Sequence, residues 1–239
     1  EYIFVEYFII DEGLMWGKIL EVLARKALQG VDVRVMYDGT CEFSTLPRNY
    51  PRLLEKLNIQ CKVFSPVQPF VSTHYNYRDH RKILVIDGRV GFTGGVNLAD
   101  EYINHIQKHG RWKDAAVMLE GEAVRSLTAQ FLQMWGILKE PEYEQFLTRP
   151  IPVPENAKGV AAPYGDCPLD GERVGEMGYI DLLSRLTGDK REELYLHNMK
   201  ESSEHLLALV NSLLDFYRLD INKVDVDKVC LLYTSDAAD

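Results

Sequence analysis

Asp79-His80-Arg81-Lys82-Ile83-Leu84-Val85-Ile86-Asp87 is followed by Gly88-Arg89, by Val90-Gly91-Phe92-Thr93 and by Gly94-Gly95-Val96-Asn97. The apolar, β-branched run predicts a strand over 81–87, a tight turn at Gly88-Arg89 and a hairpin partner over 90–93. Side chains two apart on a strand share a face, so His80 and Lys82 are expected to project together. An imidazole beside an ammonium suits a phosphoryl oxygen: Lys82 neutralises the anion while His80 attacks phosphorus or passes a proton. Asp87 has two readings, as the group that fixes an imidazole tautomer or as the cap of a turn. Gly94 and Gly95 would let the backbone approach a phosphate closely, and Asn97 adds a neutral donor.

Outward from this stretch the chain alternates. Tyr2 to Ile10 is aromatic and β-branched, a strand buried on both faces. Asp11 offers an N-cap to a helix whose apolar positions are Trp16, Ile19, Leu20, Leu23 and Ala27, closed by Gly30. Val31 to Tyr37 reads as a second strand, parallel to the first. A helix over 50–57, a strand near 61–64, a long loop over 65–79, a strand over 112–119 and an amphipathic helix over 122–138 complete the pattern. The fold class is α/β, a mixed sheet flanked by helices, followed by a helical, hairpin-like tail.

Composition narrows the chemistry. The 239 residues carry 27 Lys or Arg against 36 Asp or Glu, a net charge of −9. Such a chain lacks the basic field that non-specific nucleic-acid binding needs, so no nucleic-acid partner is expected. Cys41, Cys61, Cys167 and Cys230 form no CxxC pair, so neither a zinc site nor a thioredoxin-type site is expected; the chain is expected to use no metal and no cofactor. No apolar run reaches the ~18 residues of a membrane-spanning helix. The chain opens on Glu1, without Met or a basic leader, and reads as cut from something longer. All ten prolines lie between Pro47 and Pro168, and the 51 residues after Gly188 contain neither Gly nor Pro.

His-x-Lys-x4-Asp followed by Gly-Gly-x-Asn resembles the HKD signature of the phospholipase D superfamily. The flanks at 2–10 (YIFVEYFII), 31–38 (VDVRVMYD), 76–87 (NYRDHRKILVID), 91–104 (GFTGGVNLADEYIN) and 112–114 (WKD) resemble the first catalytic half of a bacterial cardiolipin synthase, over about residues 1–176. That resemblance implies a phospholipase D-like fold and His80, Lys82 and Asp87 as the catalytic triplet. Asn97, Gly94, Gly95 and Glu6 would stand at the phosphate or substrate, and the substrate would be phosphatidylglycerol. In the family one HKD histidine forms a phosphohistidine, a second acts as acid and then base, and another lipid's hydroxyl displaces the first. The parent enzyme would act at the bacterial cytoplasmic membrane, and this chain would be soluble or peripheral. Arg34, Asp38, Asp100, Glu101 and Asp114 also fall in matching segments, where turn capping and ion pairing compete with site roles. His74, His105 and His109 are expected to be solvent-exposed. Only one HKD motif is present, so this chain is expected to be inactive alone. An alternative is a single-motif phosphodiesterase or nuclease that completes its site as a homodimer.

After Asp189, Leu196, Met199, Ser203, Leu206, Val210, Leu213 and Tyr217 step alternately by three and four, a heptad seam that calls for a partner helix. Residues 177–229 resemble a sensor histidine kinase dimerisation fragment without its phosphoacceptor motif, so His197 and His205 inherit no such role. This supports a third reading, a non-catalytic dimerisation or signalling module with self-association through the seam. Residues 230–239 resemble translated adapter sequence and are expected to be disordered, and a chimeric junction near Glu176 is expected.

Overall fold

The computed structural model describes residues 1–66, 78–137, 142–152, 161–165 and scattered positions from 174 to 201. The chain divides into two compact units, Glu1–Gly165 and Asp166–Asp239. In the second unit, Gly178, Ile180, Leu182, Asn198 and Glu201 are helical. The seam residues, His74, His197, His205 and the final ten residues lie outside the described positions.

The first unit is built on six strands: β1 (Tyr2–Tyr7), β2 (Asp32–Asp38), β3 (Gln60–Phe64), β4 (Lys82–Ile86), β5 (Val90–Gly94) and β6 (Ala116–Glu120). Their order is β3-β2-β1-β4-β5-β6. The β1–β2 and β2–β3 pairs are parallel, whereas β1–β4, β4–β5 and β5–β6 are antiparallel. The parallel pair β1–β2 is joined by helix α1 (Leu14–Leu28), as expected for strands that cannot turn back directly. Short helices α2 (Cys41–Ser44) and α3 (Tyr50–Glu55) lead to β3; α4 (Ala123–Trp135) and α5 (Tyr143–Leu147) follow β6.

Strand alternation sorts the core into two clusters. Ile3, Val5, Val33, Val35 and Tyr37 pack with Trp16, Leu23 and Ala27 of α1. Tyr2, Phe4, Met36, Ile83 and Val85 pack with Val124, Leu127, Phe131 and Trp135 of α4. Phe4 stacks on Phe131 at 4.5 Å between ring centres, and Arg34 stands 5.1–5.6 Å from the rings of Phe4, Trp135 and Phe146. Arg34 is also bound to Asp32 and Glu142, each at 2.9 Å, which makes it a tie across the core. β1, covered on both faces, accordingly reads as an unbroken apolar run.

The expected Asp11 cap is not the one formed. Helix α1 starts after Gly13, which makes no side-chain cap bond. The carboxylate of Asp100 instead accepts from the amides of Leu14 (2.9 Å) and Met15 (2.8 Å). A side chain at position 13 would collide with that carboxylate. The two amide bonds hold the Asp100 carboxyl below its ordinary pKa. A cap supplied 86 residues away in sequence has no local signature.

Asp100→Ala should therefore cost about 1 kcal/mol of unfolding free energy, the usual value of a helix N-cap. Asp100→Asn should recover most of it. Equal denaturation midpoints for the wild type and the alanine variant would contradict this role.

Candidate functional site

The start of β4 is organised by strand alternation. His80 and Lys82 turn to one side, and Asp79 and Arg81 to the other. Lys82 Nζ lies 3.1 Å from His80 Nδ1 and donates to the His80 carbonyl at 2.6 Å. The ring of Phe8, just past β1, stands 4.8 Å from the His80 ring and 5.4 Å from Lys82 Nζ. His80 is exposed while Lys82 is buried. Burial draws the Lys82 ammonium down to about 8, against the opposing pull of Asp79 and Asp114. Burial and then the Lys82 charge lower the His80 pKa. A phosphate oxygen entering here would meet a cation only partly satisfied by neutral acceptors.

Arg81 anchors the strand start from behind. Its Nε lies 2.9 Å from Glu6 Oε1 and 3.0 Å from Asp79 Oδ1. Glu6 is 0% exposed, so it lies beneath the site and cannot touch a ligand in this arrangement. Burial first, and then the Asp79 charge, push the Glu6 carboxyl well above its ordinary value, with Arg81 opposing. The Asp79 amide in turn donates to Asp38 Oδ2 at 3.1 Å, which ties the loop to the end of β2.

The other expected residues divide. Asp87 stands at the far end of β4, roughly 20 Å along the strand from His80 at about 3.3 Å per residue. Its carboxylate accepts from the Tyr2 amide at 2.8 Å, and its own amide donates to the Tyr2 carbonyl at 2.9 Å. The structure thus sets it at the turn after β4, bonded to the start of β1 and out of reach of the imidazole. Asn97 is buried, with Oδ1 accepting from the Ile9 amide (3.0 Å) and Nδ2 donating to the Tyr102 hydroxyl (2.9 Å). It braces the end of β1 and has its side-chain groups engaged. Gly94 and Gly95 have a packing duty: a Cβ on Gly94 would strike the Ala115 carbonyl, and one on Gly95 the Asp114 carboxylate. Gly94 also lines a pocket of about 380 Å³ with His80, Arg81, Lys82, Thr93 and Tyr164. Glu101 is buried near Lys108, and His105 and His109 are exposed.

Sequence reasoning left out Phe8, and named Asp79 only as a neighbour. Arg81 was passed over although the signal was present. The alternation that pairs His80 with Lys82 pairs Asp79 with Arg81 on the opposite side, and by the same rule puts Glu6 beside Phe4 facing them.

The family described as cardiolipin synthase, PLD-like domain, matches residues 2–135. A Streptococcus mutans protein described only as uncharacterized is 59% identical over 186 residues, covering 77% of this chain and 40% of that protein. A cardiolipin synthase of Geobacillus thermodenitrificans is 41% identical over 165 residues, covering 66% of this chain and 32% of that enzyme. The chain thus spans 40% or less of the length of these relatives. Among solved structures, NucT from Helicobacter pylori is similar at a TM-score of 0.41 and 12% identity, over 56% of this chain and 78% of that one.

The buried carboxyl generates a pH prediction. With its folded pKa raised above the ordinary 4.5, Glu6 favours the folded state only when protonated. Its contribution is complete below 4.5 and is lost as pH climbs through the folded value. Glu6→Gln, which cannot ionise, should escape that loss. Thermal midpoints followed from acid through neutral pH should show the variant gaining steadily on the wild type; a constant difference would contradict the burial of an ionisable group at this point.

Proposed function

The chain belongs to the family of cardiolipin synthase PLD-like domains, and on that premise we propose that it supplies one half of a phosphatidyl-transfer site. The observation that supports this reading is the exposed His80 ring paired at 3.1 Å with the buried Lys82 ammonium. In the proposed reaction, a histidine nitrogen attacks the phosphorus of phosphatidylglycerol. The P–N bond forms as the P–O bond to glycerol breaks, and the leaving oxygen takes a proton from a second histidine. The hydroxyl of another phosphatidylglycerol then returns a proton to that second histidine and attacks phosphorus. The P–N bond breaks, releasing cardiolipin and the free imidazole.

His80 is one of these two imidazoles. While Lys82 is protonated and donates to Nδ1, the ring is neutral with its proton on Nε2, a hydrogen-bond donor there but neither nucleophile nor general acid. An arriving phosphate competes for Lys82 and releases Nδ1, which lets the tautomer change for nucleophilic attack. The proposal confines the chemistry to the first unit. Asp87 acts in it through the β1–β4 register, and Asn97 by holding the end of β1. Residues 177–229 enter as a helical segment, with self-association through their seam. Among the described residues no helix is long and apolar enough to cross a membrane.

Cardiolipin formation from phosphatidylglycerol vesicles tests the reading. This chain alone should be nearly inert, because a lone imidazole lacks its counterpart, and general acid–base assistance is worth about 10²–10⁴-fold. A longer protein carrying this segment and a second HKD motif should be active, and His80→Ala in it should remove activity by at least that factor. Full activity in that variant would overturn the assignment. Cleavage of a simple phosphodiester by a dimer of this chain, without cardiolipin formation, would favour the nuclease-like alternative.

A further inference from the structure

Residues 98–115 lie in the connection from the end of β5 to the start of β6, at the end of the sheet where β4 begins with Lys82. At one foot the Leu98 amide donates to the Ile9 carbonyl, and Asn97 holds the Tyr102 hydroxyl. At the other the Gly95 amide donates to the Ala115 carbonyl, and Asp114 lies close enough to act on the Lys82 charge. Between the feet every residue from 103 to 111 is exposed. Ile103 and Ile106 are 43% and 45% exposed.

The loop is nonetheless built. The Asn104 side chain brackets Trp112, donating to its carbonyl at 2.9 Å and accepting from its amide at 2.6 Å. The Trp112 ring meets Tyr102 edge-on at 4.6 Å, and its Nε1 donates to Asp114 at 3.1 Å. An aromatic pair with polar tips, flanked by exposed isoleucines, is suited to a boundary between water and hydrocarbon.

The charge is also sorted. From 102 to 113 the residues charged at neutral pH are Lys108, Arg111 and Lys113, all basic, in a chain of net charge −9. Of the flanking acids, Asp100 bonds the α1 amides and Glu101 is buried, while Asp114 is exposed and holds Trp112 Nε1 and the Ala115 amide. Lys108 lies 3.8 Å from Glu101 and is the most tempered of the three cations.

We propose that the 98–115 loop is a peripheral docking surface for an anionic phospholipid bilayer. Ile103 and Ile106 enter the headgroup layer, Lys108, Arg111 and Lys113 meet lipid phosphates, and the two feet of the loop bring His80 to headgroup level. The choice of lipid rests on the phosphatidyl-transfer reading; the surface itself does not.

The test is co-sedimentation of the whole chain with vesicles at low ionic strength. It should bind vesicles of mixed phosphatidylglycerol and phosphatidylcholine, and not vesicles of phosphatidylcholine alone. Each basic side chain near an anionic surface is worth about fivefold in partition, so Lys108→Gln with Arg111→Gln and Lys113→Gln should weaken binding about a hundredfold. Ile103→Ser with Ile106→Ser should weaken it roughly tenfold. Being exposed, these substitutions should leave the thermal midpoint unchanged. Absence of binding, equal binding to neutral vesicles, or a triple variant that binds like the wild type would overturn the proposal. So would a chain that pairs in solution and loses that pairing through the isoleucine variant, since the loop would then cover protein. Vesicle binding without transfer in the longer protein would leave this surface standing and remove only the catalytic reading.

Discussion

One guanidinium held between two buried carboxylates sets the site. Arg81 joins Glu6 in the middle of the sheet to Asp79 at the mouth of β4, and Asp79 is itself fixed to the end of β2 through Asp38. Three segments distant in sequence are thereby tied at one place. Alternation then puts His80 and Lys82 on the side away from that tie, His80 exposed and Lys82 buried. Burial above all, and then the neighbouring Asp79 charge, hold Glu6 toward its neutral form, with Arg81 opposing.

The opposite end of the same strand is fixed by a second device. Asp87 and Tyr2 exchange backbone and side-chain bonds and lock β1 against β4, so that Lys82 falls opposite Tyr7. The proposed functional pair and the aspartate of one short motif therefore stand at two ends of a five-residue strand. One end carries the proposed anion site and the other fixes the register between β1 and β4. The parallel half of the sheet delivers Phe8 and Asp38 to the same edge, and the antiparallel half delivers Gly94 and Gly95 beneath the 98–115 loop.

Most of this fold was legible in local patterns. The β-branched runs placed the strands, the spacing from Trp16 to Ala27 placed α1, and Gly88-Arg89 placed the hairpin. The His80–Lys82 pairing followed from alternation alone. What could not be read was decided by contacts across the chain. Asp11 looked like the cap of α1, but Asp100 reaches the helix start through the fold. Glu6 sat in a segment matching a substrate site, yet the register of β1 against β4 turns it under Arg81 and away from solvent. Asp87 carried both its readings in sequence, and the Gly88 that follows it was the mark of the one observed. Gly94 and Gly95 looked like a phosphate cradle; their close neighbours Asp114 and Ala115 lie twenty residues on and gave no local sign.

The central claim is that His80 and Lys82 act as one anion-binding pair. The most direct measurement is a titration with inorganic phosphate, following the His80 ring resonances by NMR in the wild type and in Lys82→Ala. The account predicts a saturable shift of the ring signals in the wild type that is absent or greatly weakened in the variant. Ring signals that ignore phosphate in the wild type, or respond equally without Lys82, would contradict it.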